Sequence, residues 1–295
     1  MKRCFKCSKS LAGHDTKHGL HISCFIEWFN TDEDFKDLTQ RNEVPIEIGE
    51  TPSNSSFFHG KFEKYSAILG NKHYILKNSR EYPELSRTEY LCNQLGEALG
   101  LEIPSHFLIK LMNQEVFISY NFMQDYMGAD LKHIYHFLPS KDEYNVETLV
   151  NIIANKTGRL SEIRKFLTLC LFDALIGNDD RHGRNLALIF TSSGCLFSPC
   201  YDNPSFIART IWLGADLNSS GRIETSTSRE PDINDYGEEL IRLGYKDVLE
   251  EFIKNIGIQK LESIVNSSFL SAKRKKAFII FLNKQYGKLK NVLPN

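Results

Sequence analysis

The chain has 295 residues with an ordinary globular composition, in which 41% of the residues are hydrophobic and 25% are charged. A chain of this length forms one large domain or two smaller ones, and it buries enough surface to fold without disulfide bonds. Lysine and arginine number 36 against 37 acidic residues, so the net charge of -1 argues against general nucleic-acid binding. The composition also excludes a disordered chain, a collagen and a coiled-coil rod.

Targeting signals are not evident in the sequence. No run is apolar enough for a membrane span, and no apolar segment follows the basic start as it would in a secretory signal. The seven cysteines are an odd number, which favours free thiols and a reducing compartment. The sequence therefore predicts a cytoplasmic protein that binds neither a membrane nor nucleic acid directly.

Residues 1–30 are rich in cysteine and histidine and are predicted to form a separate N-terminal segment. Cys4-x2-Cys7 is followed, after thirteen residues, by His21-x2-Cys24. Two such pairs have the spacing of a small zinc site, in which thiolates and an imidazole complete a tetrahedron. Reduced cysteines that bind no metal are the alternative interpretation.

The next part of the chain is predicted to be a small α+β lobe over residues 45–122. Residues 30–43 are polar and acidic, which indicates a short helix or a linker, and residues 45–64 indicate an extended loop. Apolar patterns then predict strands at 65–69, 73–76, 106–111 and 115–120, and a helix at 84–99.

The remainder, residues 123–295, is predicted to be a mostly helical lobe. Helical periodicity is found at residues 146–154, 161–176, 236–243, 248–256, 259–265 and 272–285. One β-hairpin, formed by residues 185–190 and 195–198, interrupts the helices.

The densest polar segment, residues 177–185, joins an apolar helix to this hairpin, and we call it the polar loop. It contains Asp180 and Asn185, and the hairpin leads on to Asp202. An Asp, an Asn five residues later and another Asp after a hairpin is the layout of protein-kinase-like active sites. Phosphoryl transfer needs oxygen ligands for Mg²⁺, here Asn185 and Asp202, and a carboxylate that orients the attacking hydroxyl, here Asp180. A polar loop with helix-capping acids is the alternative.

Two residues of the first lobe complete this set. Lys77 ends a predicted strand, and Glu89 lies on the apolar stripe of the helix that follows. A carboxylate on an apolar stripe needs a partner, so we expect Glu89 to hold Lys77, and Lys77 to hold the phosphates of ATP. Considered singly, each residue is equally compatible with a position that is partly open to water.

Two motifs of the sequence resemble the HipA family of bacterial serine/threonine protein kinases. They are Gly177-Asn178-x-Asp180-x-His182-x-x-Asn185 and Pro199-x-Tyr201-Asp202. The first motif is also similar to the catalytic loop of phosphoinositide kinases. Further matches to the HipA family are Gly60-x-x-x-Lys64, Lys77, Thr88-Glu89-Tyr90 and Leu99-Gly100-Leu101, and the similarity covers about residues 45–295.

The resemblance implies a two-lobe, protein-kinase-like α+β fold that uses ATP and Mg²⁺, with the Cys/His segment ahead of it. The nucleotide contacts that it implies are Gly60, Lys64, Lys77, Phe122, Met123 and His182. For His182, hydrogen bonding that orients the loop backbone is the alternative role.

The resemblance also implies a biological role. Members of the family are commonly the toxins of HipBA-type or HipBST-type toxin–antitoxin modules, and their substrates are aminoacyl-tRNA synthetases phosphorylated on serine. Their antitoxin partner is a small helix-turn-helix protein. The sequence lacks the N-terminal subdomain of long family members and so looks like the short HipT-type kinases, in which a small HipS-like protein supplies that part.

A serine-rich stretch ahead of Gly60 is the candidate control element. The resemblance implies autophosphorylation at Ser53, Ser55 or Ser56. A phosphoserine near ATP would repel the nucleotide phosphates, so the modified kinase would switch itself off. A solvated linker is the alternative for this stretch. For the whole chain, the alternatives are a lipid or small-molecule kinase and a non-catalytic pseudokinase scaffold.

Overall fold

The computed structural model describes residues 2–40, 63–78, 82, 84–140, 143–210, 214 and 217–293. Its packing divides the chain into two units. The first comprises Met1–Tyr90 and Pro104–Gln124, and the second comprises Leu91–Ile103 and Asp125–Asn295. Within the described residues the first unit is mainly strands and the second mainly helices, which is the predicted α+β fold class.

The N-terminal module, residues 2–29, is a short hairpin followed by a helix. Strand β1 (Thr16–Lys17) pairs with β2 (Leu20–His21), and helix α1 (Ile22–Phe29) follows at once. His18 and Gly19, between the strands, both have positive φ angles. Positive φ at both central residues is what a tight two-residue hairpin turn requires.

A five-stranded antiparallel sheet follows the module in the first unit. Its strands are β3 (Lys36–Gln40), β4 (Glu63–Leu69), β5 (Lys72–Asn78), β6 (His106–Leu111) and β7 (Gln114–Tyr120), in the spatial order β3-β4-β5-β7-β6. The predicted hairpins correspond to β4–β5 and β6–β7 and are confirmed. These strands could be predicted because apolar side chains alternate along them. The alternation arises because one face of each strand is buried.

Strand β3 contradicts the prediction of a short helix or linker over residues 30–43. Lys36–Gln40 pairs with β4 through the backbone, although every one of its five side chains is exposed. A strand that buries no side chain has no apolar alternation, so its sequence carries no strand signal. Charged, exposed residues are typical of an edge strand, where they discourage pairing with other chains.

Helix α2 (Glu84–Ala98) confirms the helix predicted after the first hairpin, and Gly100 follows it with a φ of 83°. Its residues up to Tyr90 belong to the first unit, and those from Leu91 onward belong to the second.

Helix α4 (Leu160–Ile176) is the buried centre of the second unit. Four helices pack against it: α3 (Val146–Thr157), α5 (Ile233–Arg242), α6 (Lys246–Asn255) and α8 (Ala272–Val292). Helix α7 (Ile258–Ser267) packs against α8. These helices confirm the predicted segments. No helix in the described part of the chain is long and apolar enough to cross a membrane.

The predicted hairpin of the second unit is formed by β9 (Ala187–Thr191) and β10 (Gly194–Phe197). A third strand, β8 (Asp130–His133), pairs with β9 and was not predicted. It is four residues long, and none of its side chains is fully buried, so the sequence offers no apolar pattern there.

Candidate active site

The structure brings Lys77 and Glu89 together in the first unit. Lys77 lies on β5 and Glu89 on α2, and Nζ of Lys77 donates a hydrogen bond to Oε1 of Glu89 at 2.6 Å. Their side chains are only 6% and 1% exposed, respectively. A buried ammonium group loses its hydration, so the carboxylate beside it is what keeps the charged form stable.

The other proposed nucleotide contacts fall in three places. Lys64 lies on β4 directly opposite Lys77, so both side chains are on one face of the sheet. Phe122 and Met123 are half-buried in a 3₁₀ helix at Phe122–Asp125. Gly60 and the serines Ser53, Ser55 and Ser56 lie outside the described residues.

In the second unit, Gly177 ends α4 and directs the chain into the polar loop. Its φ is 69°, and a Cβ atom at this position would lie 2.6 Å from the ring of Phe206. Both the left-handed backbone and the lack of space therefore require glycine. The backbone N–H of Asn178 then donates to the carbonyl of Asp173 at 2.8 Å, which completes the helix end.

The backbone around Asp180 is fixed by three hydrogen bonds. Its N–H donates to Oδ1 of Asn178 at 3.0 Å, and its carbonyl accepts from Nδ2 of Asn185 at 2.8 Å and from the N–H of His182 at 2.9 Å. None of these bonds uses the Asp180 carboxylate. Its Oδ1 is buried and has no hydrogen-bond partner among the residues that the structure describes.

Burial raises the pKa of Asp180 to about 6, and the nearby carboxylates of Asp179 and Asp202 act in the same direction. Arg209 and Arg222 oppose this increase only in part. A carboxylate that titrates near neutral pH in a polar loop is suited to accept a proton from a substrate hydroxyl.

The side-chain oxygen atoms of Asn185 and Asp202 are suitable ligands for a hard cation. Nδ2 of Asn185 is used on Asp180, which leaves the amide oxygen of Asn185 for a ligand. Asp202 supplies a carboxylate from a left-handed backbone, with a φ of 54° that is uncommon outside glycine. Amide and carboxylate oxygens are the ligands that Mg²⁺ prefers, and a cation here would offset the repulsion that raises the pKa of Asp180.

His182 takes part in the internal bonding of the polar loop. Its Nδ1 accepts from the backbone N–H of Arg184 at 3.3 Å, and its carbonyl accepts from the N–H of Asn185 at 2.8 Å. This geometry fits the backbone-orienting role.

Arg181 is the buried link between the two candidate metal-binding segments, a role that sequence analysis missed. It binds Asp173 with two hydrogen bonds, Nε to Oδ2 at 2.7 Å and Nη2 to Oδ1 at 2.9 Å. It also donates to the carbonyls of Asn185 at 3.2 Å and Tyr201 at 2.6 Å, and to Oδ1 of Asn203 at 2.6 Å. The backbone next to Asp202 is thus linked to the polar loop through one guanidinium group.

A sequence signal for this arrangement does exist. Asp173 interrupts an apolar helix, and a carboxylate on a buried helix needs a buried cation. Arg181, eight residues further on, is the cation that the structure pairs with it, and only 1% of its side chain is exposed. Burial alone would lower the pKa of Arg181, but Asp173 outweighs that effect, so the pKa lies above its ordinary value.

The second candidate site is the Cys/His cluster of the N-terminal module. The ligand atoms of Cys4, Cys7, His21 and Cys24 all lie within 4.8 Å of one another. The structure therefore gathers the four residues that sequence analysis selected as metal ligands.

Solved structures with a similar fold include two bacterial proteins. The Helicobacter pylori proinflammatory kinase CtkA has a TM-score of 0.64 and 18% identity, covering 79% of this chain and 90% of that protein. Shewanella oneidensis HipA, solved with HipB and its operator DNA, has a TM-score of 0.58 and 15% identity, covering 87% of this chain and 72% of that one. These similarities show the kinase-like fold.

The similarity in sequence to a curated protein covers less of the chain than the structural similarities do, and it also indicates a kinase. A Haemophilus influenzae protein described as a "Putative kinase" is 24% identical over 230 residues. The alignment covers 68% of this chain and 66% of that protein, slightly less than two thirds of its length. Residues 46–262 match the family described as HipA-like C-terminal domain. Because this match covers well over half of the sequence, the chain belongs to the HipA-like C-terminal domain family.

Proposed function

We propose that the chain is an ATP- and Mg²⁺-dependent serine/threonine protein kinase. The observation that carries the proposal is the buried Asp180 carboxylate, whose pKa of about 6 suits a proton acceptor, beside the oxygen ligands of Asn185 and Asp202. Membership of the HipA-like family and the kinase-like fold support it.

Each residue has a defined role in this proposal. Lys77, held by Glu89, binds the phosphates of ATP, and Asp180 accepts the proton of the substrate hydroxyl. Asn185 and Asp202 would hold Mg²⁺, which when bound supplies the positive charge that offsets the phosphate charge. Further nucleotide contacts are assigned to Gly60, Lys64, Phe122 and Met123, and His182 is assigned the role of orienting the backbone of the polar loop. Zinc is the proposed structural ion of the Cys/His cluster.

The proposal extends to a toxin of a toxin–antitoxin module that acts in the cytoplasm. Its substrate would be an aminoacyl-tRNA synthetase, and its partners a helix-turn-helix antitoxin and a small HipS-like protein. Support comes from Shewanella oneidensis HipA, which is described as part of a toxin–antitoxin system and was solved with HipB. Autophosphorylation at Ser53, Ser55 or Ser56 is proposed as the means by which the kinase switches itself off.

The substrate class is tested by labelling. Purified chain is incubated with γ-labelled ATP, Mg²⁺ and a bacterial lysate freed of nucleotides, and the labelled amino acids are identified. We expect phosphoserine or phosphothreonine in protein, and almost none with Asp202→Asn. Asp247→Asn on α6 is the matched control, because Asp247 is 61% exposed and pairs with Arg164 on the surface. Label in lipid or small molecules instead of protein would contradict the proposal.

The toxin role is tested separately in growing cells. Induced expression of the wild-type chain should arrest growth, whereas Asp202→Asn, produced in equal soluble amount, should not. Equal growth inhibition by both proteins would show that phosphoryl transfer is not the cause of toxicity.

A further inference from the structure

The N-terminal module contains a cluster of possible metal ligands that includes none of the candidate kinase residues. Sγ of Cys7 lies 3.4 Å from Nδ1 of His21, and Sγ of Cys24 lies 3.8 Å from the same atom. Around a tetrahedral zinc ion, with Zn–S near 2.3 Å and Zn–N near 2.05 Å, sulfur and nitrogen ligands lie roughly 3.6 Å apart. The two distances in the structure, 3.4 and 3.8 Å, bracket this value.

The His21 ring is held in the orientation that metal binding needs. Its Nε2 lies 3.0 Å from the carbonyl oxygen of Ser10, which can only accept a hydrogen bond. The proton is therefore on Nε2, and the lone pair of Nδ1 is directed at the thiols. A backbone carbonyl that fixes the tautomer in this way is the usual partner of a metal-binding histidine.

The four ligands come from three separate local structures. Cys4 and Cys7 lie in a tight turn, in which the N–H of Ser8 donates to the carbonyl of Cys4 at 2.9 Å. His21 ends β2, and Cys24 lies in the first turn of α1. A single ion bound to all four would therefore connect the turn, the hairpin and the helix.

The secondary structure of the module offers little stability by itself. Its strands are two residues long and α1 has eight residues, which is shorter than a helix that is stable alone in water. Segments of this size commonly depend on a disulfide or a bound metal, and the three cysteines of the module are free thiols.

The module also covers the sheet of the first unit. The N–H of Lys110, on the outer strand β6, donates to the carbonyl of His18 at 2.8 Å. Phe107 of β6 packs against Phe29 and Trp28 of α1, with ring centroids 4.6 and 5.3 Å apart. The module thus hydrogen-bonds to an outer strand and covers the Phe107 side chain of that strand.

We infer that Cys4, Cys7, His21 and Cys24 bind one structural zinc ion, and that this ion holds the N-terminal module against β6. Three thiolates and one imidazole form a closed tetrahedral set, which is typical of a structural rather than a catalytic zinc site. Loss of the ion would separate the module from the sheet and expose Trp28, which is half-buried in the structure, more fully to water.

Metal content is the first test. Full-length chain purified without added zinc should contain about one zinc per chain by elemental analysis. Cys24→Ser and Cys7→Ser should lower the zinc content to near zero, whereas Cys195→Ser, the same change on β10, should leave it unchanged. Two variants are used because Cys24 is buried and its loss alone can prevent folding. Absence of zinc from the wild-type chain, or iron in its place, would overturn the inference.

The second test follows Trp28. Trp212→Phe leaves Trp28 as the sole tryptophan of the two in the sequence. Removal of zinc by a chelator should shift its fluorescence to longer wavelength, and added Zn²⁺ should restore the original spectrum. Zinc that leaves without a change in Trp28 emission would refute the structural role. Neither test depends on kinase activity, so failure here is separate from failure of the proposed function.

Discussion

At the residue scale, the surroundings of Asp180 disfavour the ionised form of its carboxylate. Its Oδ1 is buried without a partner among the described residues, and burial with two neighbouring carboxylates raises its pKa from 3.8 to about 6. This difference corresponds to about 3 kcal/mol that opposes the ionised form in the folded protein. A buried carboxylate with so strongly perturbed a pKa is a candidate for a chemical role.

We predict that Asp180→Asn stabilises the protein at neutral pH. Below pH 3.8, Asp180 is mostly protonated in both the folded and the unfolded wild type, and the variant should have about the same free energy of unfolding. As the pH rises from 3.8 to about 6, Asp180 ionises in the unfolded state before it ionises in the folded state. The free energy of unfolding of the wild type therefore falls by up to about 3 kcal/mol, whereas that of the variant does not. Urea unfolding in Mg²⁺-free buffer at several pH values measures the difference. Destabilisation by Asp180→Asn at pH 7 would contradict this account.

The Lys77–Glu89 pair leads to a second prediction at this scale. Lys77→Met and Glu89→Gln should each lower the free energy of unfolding by about 3 to 5 kcal/mol, because each removes the partner of a buried charge. The double variant should lose less than the sum of the two. A double-mutant cycle with urea measures the coupling, and additive losses would show that the 2.6 Å contact contributes nothing.

At the element scale, the end of α4 determines where the polar loop begins. Gly177 has positive φ and lies against Phe206, whereas Gly158, which ends α3, has positive φ but open space within 4 Å of the point that a Cβ atom would occupy. Alanine substitution at the two glycines therefore separates the cost of a left-handed backbone from the cost of a steric clash.

We predict that Gly158→Ala costs about 1 to 2 kcal/mol, the usual penalty for a left-handed residue with a side chain. Gly177→Ala should cost about 1 to 3 kcal/mol more, because its methyl group would displace the Phe206 ring. Thermal and urea unfolding of the two variants give the comparison. Equal losses would mean that Phe206 moves aside freely.

Arg181 gives the second prediction at this scale, because it links the polar loop to the segment of Tyr201. Lysine keeps the charge but cannot bind Asp173 with two parallel hydrogen bonds and also reach two carbonyls. Arg181→Lys should therefore raise the Mg²⁺ concentration needed for half-maximal activity. A purely structural role would lower the amount of active protein without moving that midpoint.

The matched control for this prediction is Arg164→Lys. Like Arg181, Arg164 makes two hydrogen bonds to carboxylate oxygens, but these belong to Asp247 and Glu251 on the surface of the second unit. Its replacement should leave the Mg²⁺ dependence unchanged. A similar shift in both variants would remove the argument for Arg181 as a positioning residue.

The elements also show what the sequence can and cannot predict. Helices and hairpins with one buried face were predicted because apolar side chains recur with the period of the element. Strands β3 and β8 were missed because none of their side chains is fully buried, so neither strand shows apolar alternation. The Lys77–Glu89 pair followed from a carboxylate on an apolar stripe, and the same reasoning applied to Asp173 would have found Arg181.

At the scale of the whole molecule, the chain carries two separate sets of candidate metal ligands, one in the N-terminal module and one at the polar loop. The family match covers residues 46–262 and so includes the candidate phosphoryl-transfer residues but not the N-terminal module. Family membership therefore supports the kinase proposal, whereas the zinc proposal rests on the geometry of this chain alone. The two can fail separately, and the experiments are designed to tell them apart.

The most direct test of the central claim measures transfer of the γ-phosphate of ATP to protein by the purified full chain. We predict Mg²⁺-dependent transfer that falls as the pH drops through the pKa of Asp180, which is about 6 without metal and lower once a bound cation offsets the nearby carboxylates. Asp180→Asn should lower the rate on the order of 10²-fold or more, and Asp247→Asn should leave it unchanged. A wild-type chain that transfers no phosphate, or an Asp180→Asn variant within a few-fold of the wild-type rate, would contradict the account.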